Sequence, residues 1–441
     1  MSGKTLSRFL LLATTLFFAE IAVYAQSGAY SSYTPYSIFG IGELSNQGSA
    51  YNKSMGGVGI AGRNRRYLNY LNPAAVTARD TLSFMADMSL QQNNKIFTQN
   101  GVRSANNTFN VNDLALSFPV YRSMAMMVGL APYSSTGYAY TSEVDSKDVL
   151  SQAGSTQYIA QGQGSMYKLF VSAGVMFWDR LSIGVEGIQY FGNIDKSNSL
   201  TFGNSAYSNI SSGSKLILRS TSAKFGVQYE QPVGTGSSIV VGATYSLGSK
   251  IRGFATNYEI SAGASQNDTL RYVTDTLKFA SQRVSIPTEW GVGVSYNHKN
   301  RWRAEVNYTR SDWTNTGMST AEGFAVSGAS RITATNSESV RAGFEIVPNR
   351  NDVRYFYKRC AYRVGAYYDK SYYLMDGNQV KAYGITLGGT IPVFRYYNGI
   401  NFAVDFGQRA STAGNLIRER FINFSIGFNI FDYWFQKTRY N

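Results

Sequence analysis

The sequence predicts an all-β chain: a transmembrane antiparallel β-barrel of about fourteen strands with an N-terminal plug in its lumen. Three observations carry that expectation. Apolar residues recur with period two in segment after segment, which marks strands with one apolar face. After Ala25 no apolar run approaches the roughly 20 residues a membrane helix needs. Charged residues make up 15% of the chain, well below the roughly 25% of a soluble domain, while aromatics also reach 15% and glycines number 43.

In chain order, Lys4 and Arg8 precede an apolar block at 9–18 and the small-x-small step Val23-Tyr24-Ala25, so residues 1–25 read as a cleaved secretory signal peptide. No cysteine stands at the cleavage point, which excludes a lipoprotein. Residues 26–80 contain "SMGGVGIAGRNRRYLNYLNPAA", too glycine-rich and irregular for a wall strand. This segment is expected inside the barrel as a plug or hatch. Gly56, Gly57 and Gly59 allow close backbone approach, Asn72 holds a turn, Pro73 fixes its φ, and Ala74 follows.

Residues 81–441 are expected to form the barrel. Its strands begin with Leu82, Phe84, Ala86, Met88 and Leu90, and end with Ile422, Phe424, Ile426, Phe428 and Ile430. Connections alternate: long at 91–111, 132–165, 192–214, 249–283 and 313–336, short at 119–122, 178–180 and 297–300. Extended extracellular loops and clipped periplasmic turns produce that alternation. Two aromatic girdles are expected: Trp178, Tyr296, Trp302, Tyr396, Tyr397 and Trp434 at the turns, and Trp313, Tyr372 and Tyr373 at the loops.

The opposite strand face carries glycine, serine and charges of both signs. Among them are Asp87, Lys168, Glu186, Lys224, Glu289, Arg303, Glu305, Arg341, Glu345, Arg363 and Asp405, expected to pair across the interior and with the plug. Inward apolar residues, Met127, Phe170, Met176 and Tyr190, are the candidate wall of a ligand pocket; the competing reading is that they pack against the plug.

No catalytic, metal or cofactor site is expected. His298 is the only histidine and lies in an Asn-His-Lys-Asn turn, without the enclosure a triad needs. Cys360 is alone, and "SGKT" at 2–5 lacks the glycine of a phosphate loop and belongs to the signal. The net charge of +14 is scattered rather than clustered, which points to lipid head groups and away from nucleic acid.

The "MGGVGIAG…NPAA" block ahead of a first strand resembles the FadL/TodX family of outer-membrane transport proteins, and "RLSIGVEGIQYFG", "IPTEWGVGVSYN" and "RWRAEVNYTRSDW" are similar to FadL-like barrels of the Bacteroidetes. Where that family commonly has Asn-Pro-Ala-Gly, this chain has Ala75. The resemblance implies an outer-membrane barrel for passive uptake of hydrophobic compounds such as long-chain fatty acids. In such a barrel, rearrangement near Asn72 opens a sideways path into the bilayer. The alternative is a non-transporting accessory barrel, PorV-like, of a secretion or assembly machine, with a protein partner on the long extracellular loops. Outer-membrane lipid is an expected contact in either case.

Overall fold

The computed structural model describes residues 32–80, 83–144, 154–204, 206–262, 269–278, 284–325, 332–393, 398–412 and 416–433; the signal-peptide expectation, Tyr396, Tyr397 and Trp434 lie outside them. No described helix is long and apolar enough to cross a membrane. The crossing is made by strands, in a closed antiparallel barrel of 14.

These are β1 (Ser83–Gln99), β2 (Val102–Tyr121), β3 (Met124–Glu143), β4 (Thr156–Phe177), β5 (Leu181–Phe202), β6 (Asn209–Pro232) and β7 (Ser237–Ser246) in the first half. The second half has β8 (Glu289–His298), β9 (Trp302–Asp312), β10 (Asn336–Ile346), β11 (Ala361–Met375), β12 (Asn378–Pro392), β13 (Gly399–Arg409) and β14 (Arg418–Tyr433). β1 closes on β14 from Ser83↔Tyr433 to Thr98↔Arg418, so the wall has no terminal edge strand. Burial in β14 alternates residue by residue from Glu419 to Phe431, with Ile422, Phe424, Ile426, Phe428 and Ile430 facing out. That alternation is the membrane-facing pattern of a barrel.

The predicted long connections are largely strand. β1 and β2 run on to a hairpin at Asn100-Gly101, and β5 reaches Phe202 before β6 begins at Asn209. A strand of about ten residues spans the bilayer, so strands of 20 to 24 residues, as in β2–β6, project past it. Beyond the apolar band both faces turn polar, as at Asn93-Asn94 and Asn106-Asn107, and the alternation fades while the hydrogen-bond ladder continues. Past the end of β7, a hairpin of Arg252–Ala262 and Thr269–Lys278 pairs on the upper half of β6 and continues the wall.

The loop-side girdle is a correction. Trp313 is 1% exposed, and Tyr372 and Tyr373 are equally buried. An irregularity in β11 between Lys370 and Leu374 shifts the register against β12, so both tyrosines face inward. There they meet Phe39 of the N-terminal segment, at 5.9 and 6.1 Å between ring centres. At the turn end Trp178 is largely exposed, as expected.

Residues 32–80 lie against the inner wall. The segment holds a 3-10 turn (Pro35–Ile38), a short strand (Glu43–Leu44), helix α1 (Ala50–Lys53) and a second 3-10 turn (Pro73–Thr77). Its large side chains Tyr36, Phe39, Ile41, Tyr51, Met55 and Tyr70 are buried. At Phe39, Ile41 and Met55, burial of a large apolar side chain contributes roughly 1.5–3 kcal/mol.

Candidate functional site

The Asn-Pro-Ala-Ala step is a capped turn wedged on three strands. Asn72 Oδ1 accepts from Ala74 N at 3.0 Å, and Pro73, which has no N–H to satisfy, opens the 3-10 turn. Asn72 Nδ2 donates to Ile60 O at 2.8 Å and reaches Val227 O and Ala243 O, which are register partners on β6 and β7. The wall admits this turn because it is glycine where they meet. A Cβ on Gly184 would lie 2.3 Å from Pro73 C, and one on Gly226 would lie 2.0 Å from Asn72 Oδ1.

Gly226→Val should therefore displace the turn and cost about 1–3 kcal/mol of stability, read as a lower unfolding temperature. Gly187→Ala, with nothing within 4 Å, should not. Equal stability of the two variants would dissociate Asn72 from the wall.

Gly56 and Gly57 follow α1 with φ of 74° and 77°, the left-handed region. Gly56 N donates to Thr386 Oγ1 at 2.8 Å, and a Cβ on Gly365 of β11 would lie 2.2 Å from Gly56 N. Here two backbones touch without side chains between them.

The interior charges pair in part. Arg363 Nε lies 2.6 Å from Glu345, Arg341 2.9 Å from Asp369, and Arg303 3.9 Å from Glu305. Near the loop end, Lys95 lies 2.7 Å from Glu419, and Arg409 bridges Glu419 and Glu43, with Thr34 Oγ1 also donating to Glu419. This latch ties the N-terminal segment to β1, β13 and β14. Burial pushes the Lys53 ammonium of α1 down to about 8, partly offset by Asp113 and Asp405. It donates to Gln91 and Asn112.

Between the segment and the wall, toward the loops, lies a cavity of about 630 Å³. Its lining mixes Leu44, Ile60, Leu71, Leu130, Ile188 and Tyr190 with Lys168, Glu186, Lys224 and Glu289. Lys168 is 7% exposed and has no ion pair among the described residues; its ammonium stands 5.3 Å from the Tyr70 ring centre and 5.4 Å from that of Phe170.

The cavity reaches a seam in the wall. β2 and β3 pair only from Tyr121↔Met124 to Leu114↔Leu130. Above that, β2 pairs with β1 alone, and β3 with β4. Pro132 lacks an N–H to continue the ladder, and the register shifts between Pro132 and Ser134. The open edge of β3 is taken by the N-terminal segment: Glu43↔Ser135 and Leu44↔Ser134 pair antiparallel, Gln47 Nε2 donates to Pro132 O, and Thr34 N donates to Gly137 O. Leu114 and Leu130 face outward at the seam's lower corner.

The four candidate wall residues separate. Tyr190 lines the cavity, its ring 4.6 Å from Tyr133. Phe170 is buried under Tyr70 of the segment at 5.3 Å, and Met127 is buried in the same apolar cluster. Met176 meets Arg63 at 3.4 Å, outside the cavity lining. Sequence reasoning missed the seam, the Glu43–Leu44 strand and the Lys95–Glu419–Arg409 latch; Pro132 was the one signal. His298 Nδ1 sits 2.8 Å from Ser237 Oγ at a turn. Among the described residues, no three His, Cys, Asp or Glu gather as metal ligands would.

The model of the BamG family matches residues 7–441. No curated protein matches the chain. Solved structures share the fold at low identity. A Pseudomonas aeruginosa FadL homologue is 10% identical, covers 90% of this chain and 100% of its own, and has a TM-score of 0.57. The P. putida toluene transporter TodX is 14% identical over 89% and 100%, at 0.55. The Ralstonia pickettii toluene transporter TbuX is 12% identical over 87% and 98%, at 0.55.

Proposed function

This chain belongs to the BamG family, and from that premise and the geometry of the site we propose an outer-membrane barrel for passive uptake of hydrophobic compounds that carry an anionic head, such as long-chain fatty acids. One observation carries the reading: the wall is unpaired above Leu114↔Leu130, and a cavity of drug-sized volume lies behind it. A wholly apolar cargo fits the tail end of that cavity but leaves its cations unused. Lys168 sits opposite Ala131, one residue from Leu130, so a carboxylate on its ammonium places the tail toward the seam. Lys224 lies on the same cavity wall. The N-terminal segment acts as plug, and retreat of Glu43–Leu44 from the β3 edge opens the path into the bilayer.

Likeness to two toluene transporters supports a hydrophobic cargo. The accessory reading draws support from the latch, since Arg409 with Glu43 and Glu419 would also suit a barrel that never opens.

Binding of labelled fatty acids across chain lengths, to protein in detergent, tests the proposal. A hydrogen bond to a charged group contributes about 1.5–3 kcal/mol, so Lys168→Met should weaken binding roughly 10- to 100-fold. Alcohols of the same length should bind equally to both forms. No saturable binding at any length would move the assignment to the accessory barrel. Phe170→Asp reports something else, because Phe170 packs on Tyr70: it should loosen the plug rather than the pocket.

A further inference from the structure

The connection from β10 to β11, residues 347–360, is the longest at the turn end among the described residues. It carries a one-turn helix, α2 (Phe356–Arg359), with no buried residue. Val353 is 91% exposed, Tyr357 57% and Phe356 48%. Between this connection and the N-terminal segment lies a second cavity, of about 320 Å³. Three guanidinium groups line it, from Arg66, Arg350 and Arg359, and among the described residues no carboxylate does. Arg350 is held by Asn300 O at 2.8 Å and by Glu345 at 3.8 Å. Arg359 stands 5.3 Å over the Phe356 ring, and its Nε is buried without a hydrogen-bond partner among the described residues.

We propose that this mouth docks an extended acidic segment, bearing aromatic side chains, of a periplasmic protein. Charge complementarity selects the occupant: a planar guanidinium takes a carboxylate through two parallel hydrogen bonds, and exposed aromatics beside an arginine are the composition of an interface hot spot. The alternative anion, a lipid headgroup, belongs outside the wall, where Tyr362 and Val364 face the bilayer. The cavity is instead lined by Ala361 and Thr390, which are buried on the inner face, and by Tyr67 of the N-terminal segment. Tyr67 stacks on Tyr51 at 4.3 Å and lies 5.1 Å from the Arg363 guanidinium. A docked segment therefore touches the element that fills the lumen, and docking is coupled to how firmly that element is held.

The test uses the full-length mature protein in nanodiscs of phosphatidylcholine and a fluorescein-labelled peptide of alternating glutamate and phenylalanine, followed by anisotropy. Saturable binding is expected, weakened at least tenfold by Arg359→Glu and by Phe356→Ala. Lys299→Gln, which removes an exposed cation from another turn, should leave it unchanged. Equal weakening by Lys299→Gln would reduce the effect to diffuse charge and overturn the proposal. So would absence of peptide binding, including the case in which anionic phosphatidylglycerol enriches around the protein and not around Arg359→Glu, which would reassign the patch to lipid. Fatty-acid binding should be the same in Arg359→Glu as in the parent, so the two functions fail or stand separately.

Discussion

Deletion of residues 26–77, with residues 1–25 kept, should raise the ion conductance of the barrel in planar bilayers from a closed level to that of an open channel. The wall does not depend on the segment for closure, since β1 pairs with β14 along its length and the segment supplies only the two-residue strand Glu43–Leu44. What the segment covers is wall glycine and charge, as at Gly184, Gly226, Gly365, Arg303 and Glu345, and water hydrates such a surface readily. A barrel of 14 strands lies between small filled barrels and the 16–18-stranded porins with an aqueous channel, so an emptied lumen should conduct. The variant should also unfold at lower temperature, because the carboxylates of Glu305 and Glu419 lose partners from the segment, Ala61 N and Thr34 Oγ1. A correctly folded deletion variant with no current would mean that the wall itself constricts the lumen.

Much of this fold was legible because alternation reports the membrane directly. Ile422 to Ile430 read as an outward apolar row and are one. The same signal goes silent above the bilayer, where Asn93-Asn94 and Asn106-Asn107 are polar on both faces; strand was there taken for loop. Alternation is also blind to a slipped register. One irregularity between Lys370 and Leu374 turned two expected girdle tyrosines into lumen packing for Phe39.

The turn at Asn72 was readable from local chemistry, since Asn before Pro specifies a cap whatever the surroundings. Which strands it would press on was not readable, and Gly184 and Gly226 acquire meaning only once Pro73 lies against them. Interior charges were likewise identifiable one by one from strand phase. Pairing depends on the register between neighbouring strands, which alternation alone does not set: Arg363 finds Glu345 across β10 and β11, while Lys168 is left facing the cavity without an ion pair among the described residues.

The seam gives the sharpest test of lateral exit, through a clamp at Leu44→Cys and Ser134→Cys in a Cys360→Ser background. These two positions are register partners in the Glu43–Leu44 pairing with β3. Cα atoms of antiparallel partners stand roughly 4.5–5.5 Å apart, within the roughly 4.4–6.8 Å a disulfide spans. Removal of the lone native thiol, Cys360, keeps the new pair from exchanging with it. If cargo leaves sideways, the oxidised form should still bind fatty acid in the cavity yet lose uptake into cells almost completely, and a reductant should restore it. Leu44 itself lines the cavity, so the reduced form of the same variant is the reference for both measurements; binding survives oxidation because Lys168 and Tyr190 lie on the far side of β3 from the clamp, on β4 and β5. Uptake at the parent rate in the oxidised form would place the exit elsewhere. Loss of binding together with uptake would mean instead that cargo reaches Lys168 through the seam itself, so that Glu43–Leu44 guards the entrance as well as the exit.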